Sequence, residues 1–133
     1  MKYALMLTLL LLSTVTHAEG DGGPALPQVQ YIYFEPAFVV NYGSSGRMKF
    51  LRTDVALRVS NTEAAAIASQ HKPYMRHHLV MLFSAQEAEV MTSPTGRETL
   101  RKQALEELRE LLTELEGNPA IDDVYFNNFV VQN

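Results

Sequence analysis

Residues 92–132 read TSPTGRETLRKQALEELRELLTELEGNPAIDDVYFNNFVVQ. Ser93 has a side-chain oxygen that can accept a free amide proton of a first helical turn. Pro94, with no amide proton to lose, fits the position after it. Leu100, Ala104, Leu108, Leu111 and Leu115 then recur at helical spacing, widened by Leu105 and Leu112, and Gly117-Asn118-Pro119 closes the run. The spacing predicts a helix from Pro94 to about Glu116. Ile121 to Gln132 follows as a strand, with Val124, Phe126 and Val130 on one face and Tyr125, Phe129 and Val131 on the other. Apolar groups on both faces predict an interior strand, or one covered by partners.

Working back towards the N-terminus, Asn61 or Thr62 can cap a helix that starts at Glu63 and ends near Gln70, before Pro73. Tyr74 to Ala85 reads as another helix, with Met75, Leu79, Leu82 and Phe83 on one side. Arg47 to Asn61 alternates Leu51, Val55, Leu57 and Val59 with Asp54, Arg58 and Ser60, a half-buried strand. Gln30 to Asn41 is aromatic and β-branched, with Ile32, Phe34, Phe38 and Val40 opposite Tyr31, Tyr33 and Glu35. Pro36 lacks a ladder donor, which places that strand at an edge or breaks it there. Two glycines in the turn 42–46 can take positive φ and close a hairpin. The order is strand, strand, three helices, strand. It predicts a single α+β domain, a small mainly antiparallel sheet packed by about three helices.

Composition narrows the function classes. Eleven Lys+Arg against fifteen Asp+Glu in 133 residues gives a formal charge of −4, which does not suit a nucleic-acid partner. There is no Cys, so disulfides, thiol nucleophiles and Cys-ligated metals are excluded. Lys2, the apolar run from Ala4 to Leu12 and Thr16-His17-Ala18 have the layout of a signal peptide over residues 1–18, cut before Glu19, or of a short signal anchor. Residues 19–30 (EGDGGPALPQVQ) form a Gly/Pro-rich linker, and the folded domain runs over 31–133. Residues 31–78 carry six basic and three acidic groups, whereas 79–133 carry four basic and ten acidic. That asymmetry suits head-to-tail association of copies.

The chain offers little to catalysis. His71, His77 and His78 are candidate metal ligands, but adjacent helical residues point ~100° apart and the His-x-x-x-His spacing is missing. Ser44-Ser45-Gly46 is not a nucleophile elbow. Glu106, Glu107, Glu110, Glu114 and Glu116 fall on the polar face of the long helix. The residues therefore point to a non-enzymatic protein with no cofactor and no metal.

From Tyr31 onward the chain resembles the FliL family of flagellar basal-body-associated proteins. The resemblance rests on Phe38-Val39-Val40-Asn41 with Arg47-Met48-Lys49-Phe50-Leu51, and on Val55-Ala56-Leu57-Arg58-Val59. It continues through Pro73-Tyr74-Met75-Arg76 into Leu79-Val80-Met81-Leu82-Phe83-Ser84. Its most specific part joins the stretch Ser93 to Arg101 (SPTGRETLR) to the ending Val124 to Gln132 (VYFNNFVVQ). The resemblance implies a periplasmic domain similar to stomatin-like (SPFH) domains, forming homo-oligomeric rings around flagellar stator units at the inner membrane and supporting rotation, swarming and chemotaxis. Membrane association would come through partners or an uncleaved N-terminus. The arginines on these motifs, Arg47, Arg58, Arg76, Arg97 and Arg101, are the candidate interaction residues. Two departures are visible: the signal peptide stands where the family carries a transmembrane helix, and His77 follows Arg76 where the family tends to have an acidic residue. An alternative role implied by the missing anchor is a soluble periplasmic scaffold or adaptor for another membrane complex.

Overall fold

The computed structural model describes residues 28–44 and 46–132. The expected signal peptide and most of the linker lie outside these residues. Elements run β1 (Gln30–Tyr33), β2 (Phe38–Tyr42), β3 (Lys49–Val59), α1 (Thr62–Gln70), α2 (Lys72–Ser84), α3 (Ala88–Thr92), α4 (Pro94–Glu116) and β4 (Ile121–Gln132). This is the expected α+β domain, with an antiparallel four-stranded sheet and four helices.

The sheet is organised on β3. β1 pairs with its C-terminal half, Tyr33 opposite Ala56, and β2 with its N-terminal half, Phe38 opposite Thr53. β4 pairs along nearly all of it, from Phe50 to Val59. Since β4 overlaps both pairings, β1 and β2 lie end to end on one flank of β3 and β4 on the other. The expected first strand is thus one strand broken at Pro36, and the turn back to β3 uses Gly43 and Gly46 at φ 91° and 85°.

Alternation assigns the two faces. Leu51, Thr53, Val55, Leu57 and Val59 are buried beneath the helices. Phe50, Arg52, Asp54, Ala56 and Arg58 point to the opposite face. The core between sheet and helices holds a chain of aromatic contacts. Phe34 meets Phe38 at 5.5 Å, Phe38 meets Phe83 of α2 at 5.6 Å and 89°, and Phe83 meets Phe126 of β4 at 5.3 Å and 79°. Edge-to-face pairs like these contribute about 0.5–1.5 kcal/mol each beyond their burial.

Helix ends follow local chemistry. The Asn61 side chain accepts from the Ala64 amide at 2.8 Å, and that of Ser93 accepts from the Gly96 amide at 2.8 Å. Gly117 closes α4 in the left-handed region at φ 69°. α2 starts at Lys72, not Tyr74, because Pro73 falls in its first turn, where a missing N–H costs nothing. α3 was not expected; its five residues are too short to show a helical period.

Two further expectations are corrected. Within α4 the buried stripe is Leu100, Ala104, Leu108 and Leu112, with Leu111 half-buried and Leu115 exposed. β4 is an edge strand, not an interior one, pairing only with β3 among the described residues. It also bulges: Asp54 faces Asn127 and Arg52 faces Val130, so β4 advances three residues while β3 advances two, with Asn128 at φ 50°. The extra residue reverses the facing of all that follows. Val130 joins the Tyr125 side, and Val131 joins Val124 and Phe126 on the core side.

The aromatic chain predicts that Phe83→Ala costs about 3–5 kcal/mol in urea unfolding; a loss under 1 kcal/mol would show that the contacts are dispensable. Gly96 makes a second prediction, because a Cβ there would sit 2.5 Å from the Val90 carbonyl oxygen. Gly96→Ala should lower stability by about 1–3 kcal/mol, although alanine is the better helix former by ~1 kcal/mol; a more stable variant would refute the close packing of α3 on α4.

Candidate functional site

Among the described residues, nothing covers the face of the sheet turned away from the helices. Reading across the strands by register, Tyr31, Arg58 and Asp123 form one row, and Tyr33, Ala56 and Tyr125 the next. Asp54 and Asn127 follow, then Val39, Arg52 and Val130, then Asn41, Phe50 and Gln132. Tyr31, Tyr33, Val39, Phe50 and Val130 are between 43% and 66% exposed, an unusual concentration of apolar surface for a strand face meeting water.

Two depressions mark this face. Ala56, whose methyl is the smallest side chain in the middle of β3, is the floor of one of about 390 Å³ walled by Tyr31, Tyr33, Tyr125 and Asn127. Tyr31 and Tyr125 lean together at 6.2 Å between ring centres. Partial burial and the neighbouring charge of Asp123 raise the Tyr125 phenol above its ordinary pKa, so it stays a neutral hydrogen-bonding group. The other depression, about 410 Å³, is lined by Val39, Phe50, Arg52, Val130 and Gln132. Arg52 and Arg58 have no ion-pair partner among the described residues. Aromatic rings interleaved with guanidinium groups are what protein-contact surfaces are rich in.

The five arginines singled out by sequence divide into two groups. Arg76 donates to the carbonyls of Pro36 and Ala37 at 2.9 and 3.3 Å, and its guanidinium stands 4.3 Å from the Phe38 ring centre. Arg97 lies 5.5 Å from the centre of the Phe129 ring, which stacks on Phe126. Arg101 donates to both Glu98 oxygens, to Asp123 at 2.5 Å and to the Val124 carbonyl at 3.2 Å. These three hold helices to the sheet. Arg47 is exposed beside the β2–β3 turn, and only Arg58 lies on the open face. Sequence reasoning missed Arg52, Val39 and Phe50 as surface-forming residues. The signal for the tyrosines was present, since Tyr31 and Tyr33 stand two apart and opposite the core residues.

The histidines do not converge. His71 sits between α1 and α2 with its Nε2 2.6 Å from Glu116 at the end of α4. His77 and His78 are exposed on α2, their rings 6.3 Å apart. Among the described residues no three His, Asp or Glu side chains are placed to hold a metal ion. No helix among those residues is long and apolar enough to cross a membrane.

The α+β domain packs one face of its sheet beneath the helices and leaves the other rich in exposed aromatic groups, with Arg52 and Arg58 set among Asp54 and Asp123. Residues 31–132 match the family described as flagellar basal body-associated protein FliL. The chain belongs to the FliL family. It is 27% identical over 109 residues to the flagellar protein FliL of Aquifex aeolicus (strain VF5), covering 81% of this chain and 65% of that protein. It is 25% identical over 100 residues to the flagellar protein FliL of Escherichia coli (strain K12), covering 75% of this chain and 64% of the relative. The chain thus spans a little under two thirds of these relatives.

Arg101 gives a pH prediction. Its hydrogen bonds hold the Glu98 carboxyl below the usual glutamate range. A lowered folded-state pKa stabilises fully above the ordinary glutamate value and is lost as pH falls through the lowered one. Urea midpoints of the native chain and of Glu98→Gln should therefore differ at pH 7 and converge on acidification below the ordinary glutamate pKa; a gap independent of pH would refute the pairing.

Proposed function

We propose that this chain is a non-enzymatic accessory protein of the flagellar basal body, acting in the periplasm at the inner membrane. In this reading it forms a homo-oligomeric collar around stator units and supports rotation, swarming and chemotaxis. The observation that carries the reading is the family match over residues 31–132. The open sheet face supports it physically, because a face of tyrosines and unpaired arginines costs solvation and specificity unless another protein covers it. Arg58, on that face, is the best placed of the sequence-chosen arginines to touch a partner. Arg47 is available at the surface, and Arg76, Arg97 and Arg101 act by keeping the surface in shape.

Deletion of the gene should reduce swarming and the torque sustained under viscous load, and the chain should crosslink in intact cells to stator or basal-body proteins. Unchanged motility under load, with crosslinks only to other envelope proteins, would instead favour a periplasmic scaffold or adaptor serving another membrane complex.

A further inference from the structure

The open face needs an occupant, and the charge distribution over the rest of the domain selects one. On α4 the side turned away from the core carries Glu106, Glu110 and Glu114, at successive four-residue steps. None of the three has a hydrogen-bond or ion-pair partner among the described residues. Like charges so spaced destabilise an isolated helix by about 0.2–0.5 kcal/mol per pair, a cost that a cationic neighbour would reverse. Beside them runs a groove of about 620 Å³ walled by Leu105 and Pro119, with Lys102 and Arg109 also lining it, the latter donating to the Ile121 carbonyl. The outward side of α2 is the other helical candidate, with Tyr74 and Met81 exposed. α2 carries no carboxylate, so nothing on it can pair with Arg52 and Arg58.

We infer that the open sheet face of one copy receives the outward side of α4 from a second copy, with Tyr31 and Tyr33 entering the groove beside Leu105 and Arg52 and Arg58 meeting the glutamate row. Dimensions agree: α4, at 23 residues, is about 35 Å long, and β3, at 11 residues, about 36 Å. Each sheet would then lie between two helical layers, its own on one face and a neighbour's α4 on the other. The contact is heterologous, since it joins two different surfaces, and every copy keeps one of each free for the next. Such contacts close into rings or extend as filaments and do not stop at dimers. The assignment rests on the collar reading and names the surfaces that build it.

The absence of cysteine makes the test clean. Asn127 lies on the open face and Thr113 beside the groove, both exposed. In cells producing the full chain, Asn127→Cys and Thr113→Cys together should give, on mild oxidation, a ladder of disulfide-linked dimers, trimers and higher species. Either substitution alone should leave monomers, and the two single variants co-expressed should give one dimer band and nothing larger. Arg52→Glu with Arg58→Glu should raise the concentration needed for association at least tenfold. Dimers from Asn127→Cys alone would overturn the inference in favour of face-to-face pairing. A ladder from Asn127→Cys with Met81→Cys, but none with Thr113→Cys, would overturn it in favour of α2. A native chain that stays monomeric under chemical crosslinking at every concentration would remove the collar itself. A chain that associates without the Asn127–Thr113 bond would remove only this choice of surfaces.

Discussion

Five phenylalanines running from Phe34 through Phe38, Phe83 and Phe126 to Phe129 connect the broken first strand, α2 and the last strand into one packed series. Everything else is positioned by it. Pairing to β3 aligns the strands but does not tie either flank of the sheet to the helices; the rings do that, one from each flank meeting Phe83 between them. Guanidinium groups lie over the series near both of its ends, Arg76 at Phe38 and Arg97 at Phe129. A cation over a ring face contributes about 0.5–2 kcal/mol depending on desolvation. Both arginines therefore serve the core from its rim, and their hydrophobic partners explain why charge alone was a poor guide to them.

The open face is a consequence of the same construction. All the helices between β3 and β4 return to one side of the sheet, so no described element lies above the residues alternating with the core set. β3 shows this most plainly: each residue that packs the core is followed by one that forms the surface, with Ala56 small where the tyrosines crowd in. The bulge at Asn128 adds to it. By turning Val130 outward it extends the apolar surface to the end of the sheet, and the Thr53 hydroxyl, donating to the Asn127 carbonyl at 3.1 Å, fixes the place where the reversal occurs.

How much of this was legible depends on the range of the interaction responsible. The alternation of β3, the Ser93 and Asn61 caps and the glycine stop of α4 are set by neighbours a few residues away, and the sequence displays them. The facing of β4 is not, because its reversal depends on a residue 74 positions distant. The end of the α4 stripe was misjudged for a geometric reason. Steps of four residues drift by about 40° each, and a helix that continues with Leu112 instead of Leu111 is following the twist of the sheet beneath it. Arg101 was singled out as an interaction residue by its place on the family motif, and its internal partner Asp123 stands 22 positions on, in β4; only the fold brings the two to 2.5 Å.

A charge asymmetry read along the chain becomes, in the fold, an asymmetry between two surfaces. The basic half of the sequence contributes β3, and the acidic half contributes α4, on opposite sides of the core. Each arginine on the sheet is therefore separated from the free glutamates of its own chain by the packed core, too far for direct pairing. The same groups can meet only between molecules. A fold that satisfied its charges internally would be a better isolated monomer. This one leaves Arg52 and Arg58 without an ion pair on the sheet and Glu106, Glu110 and Glu114 without one on α4 among the described residues, so each set can find opposite charge on the other surface. A contact between these two different surfaces would pair both sets of charges and join copies in a directional series.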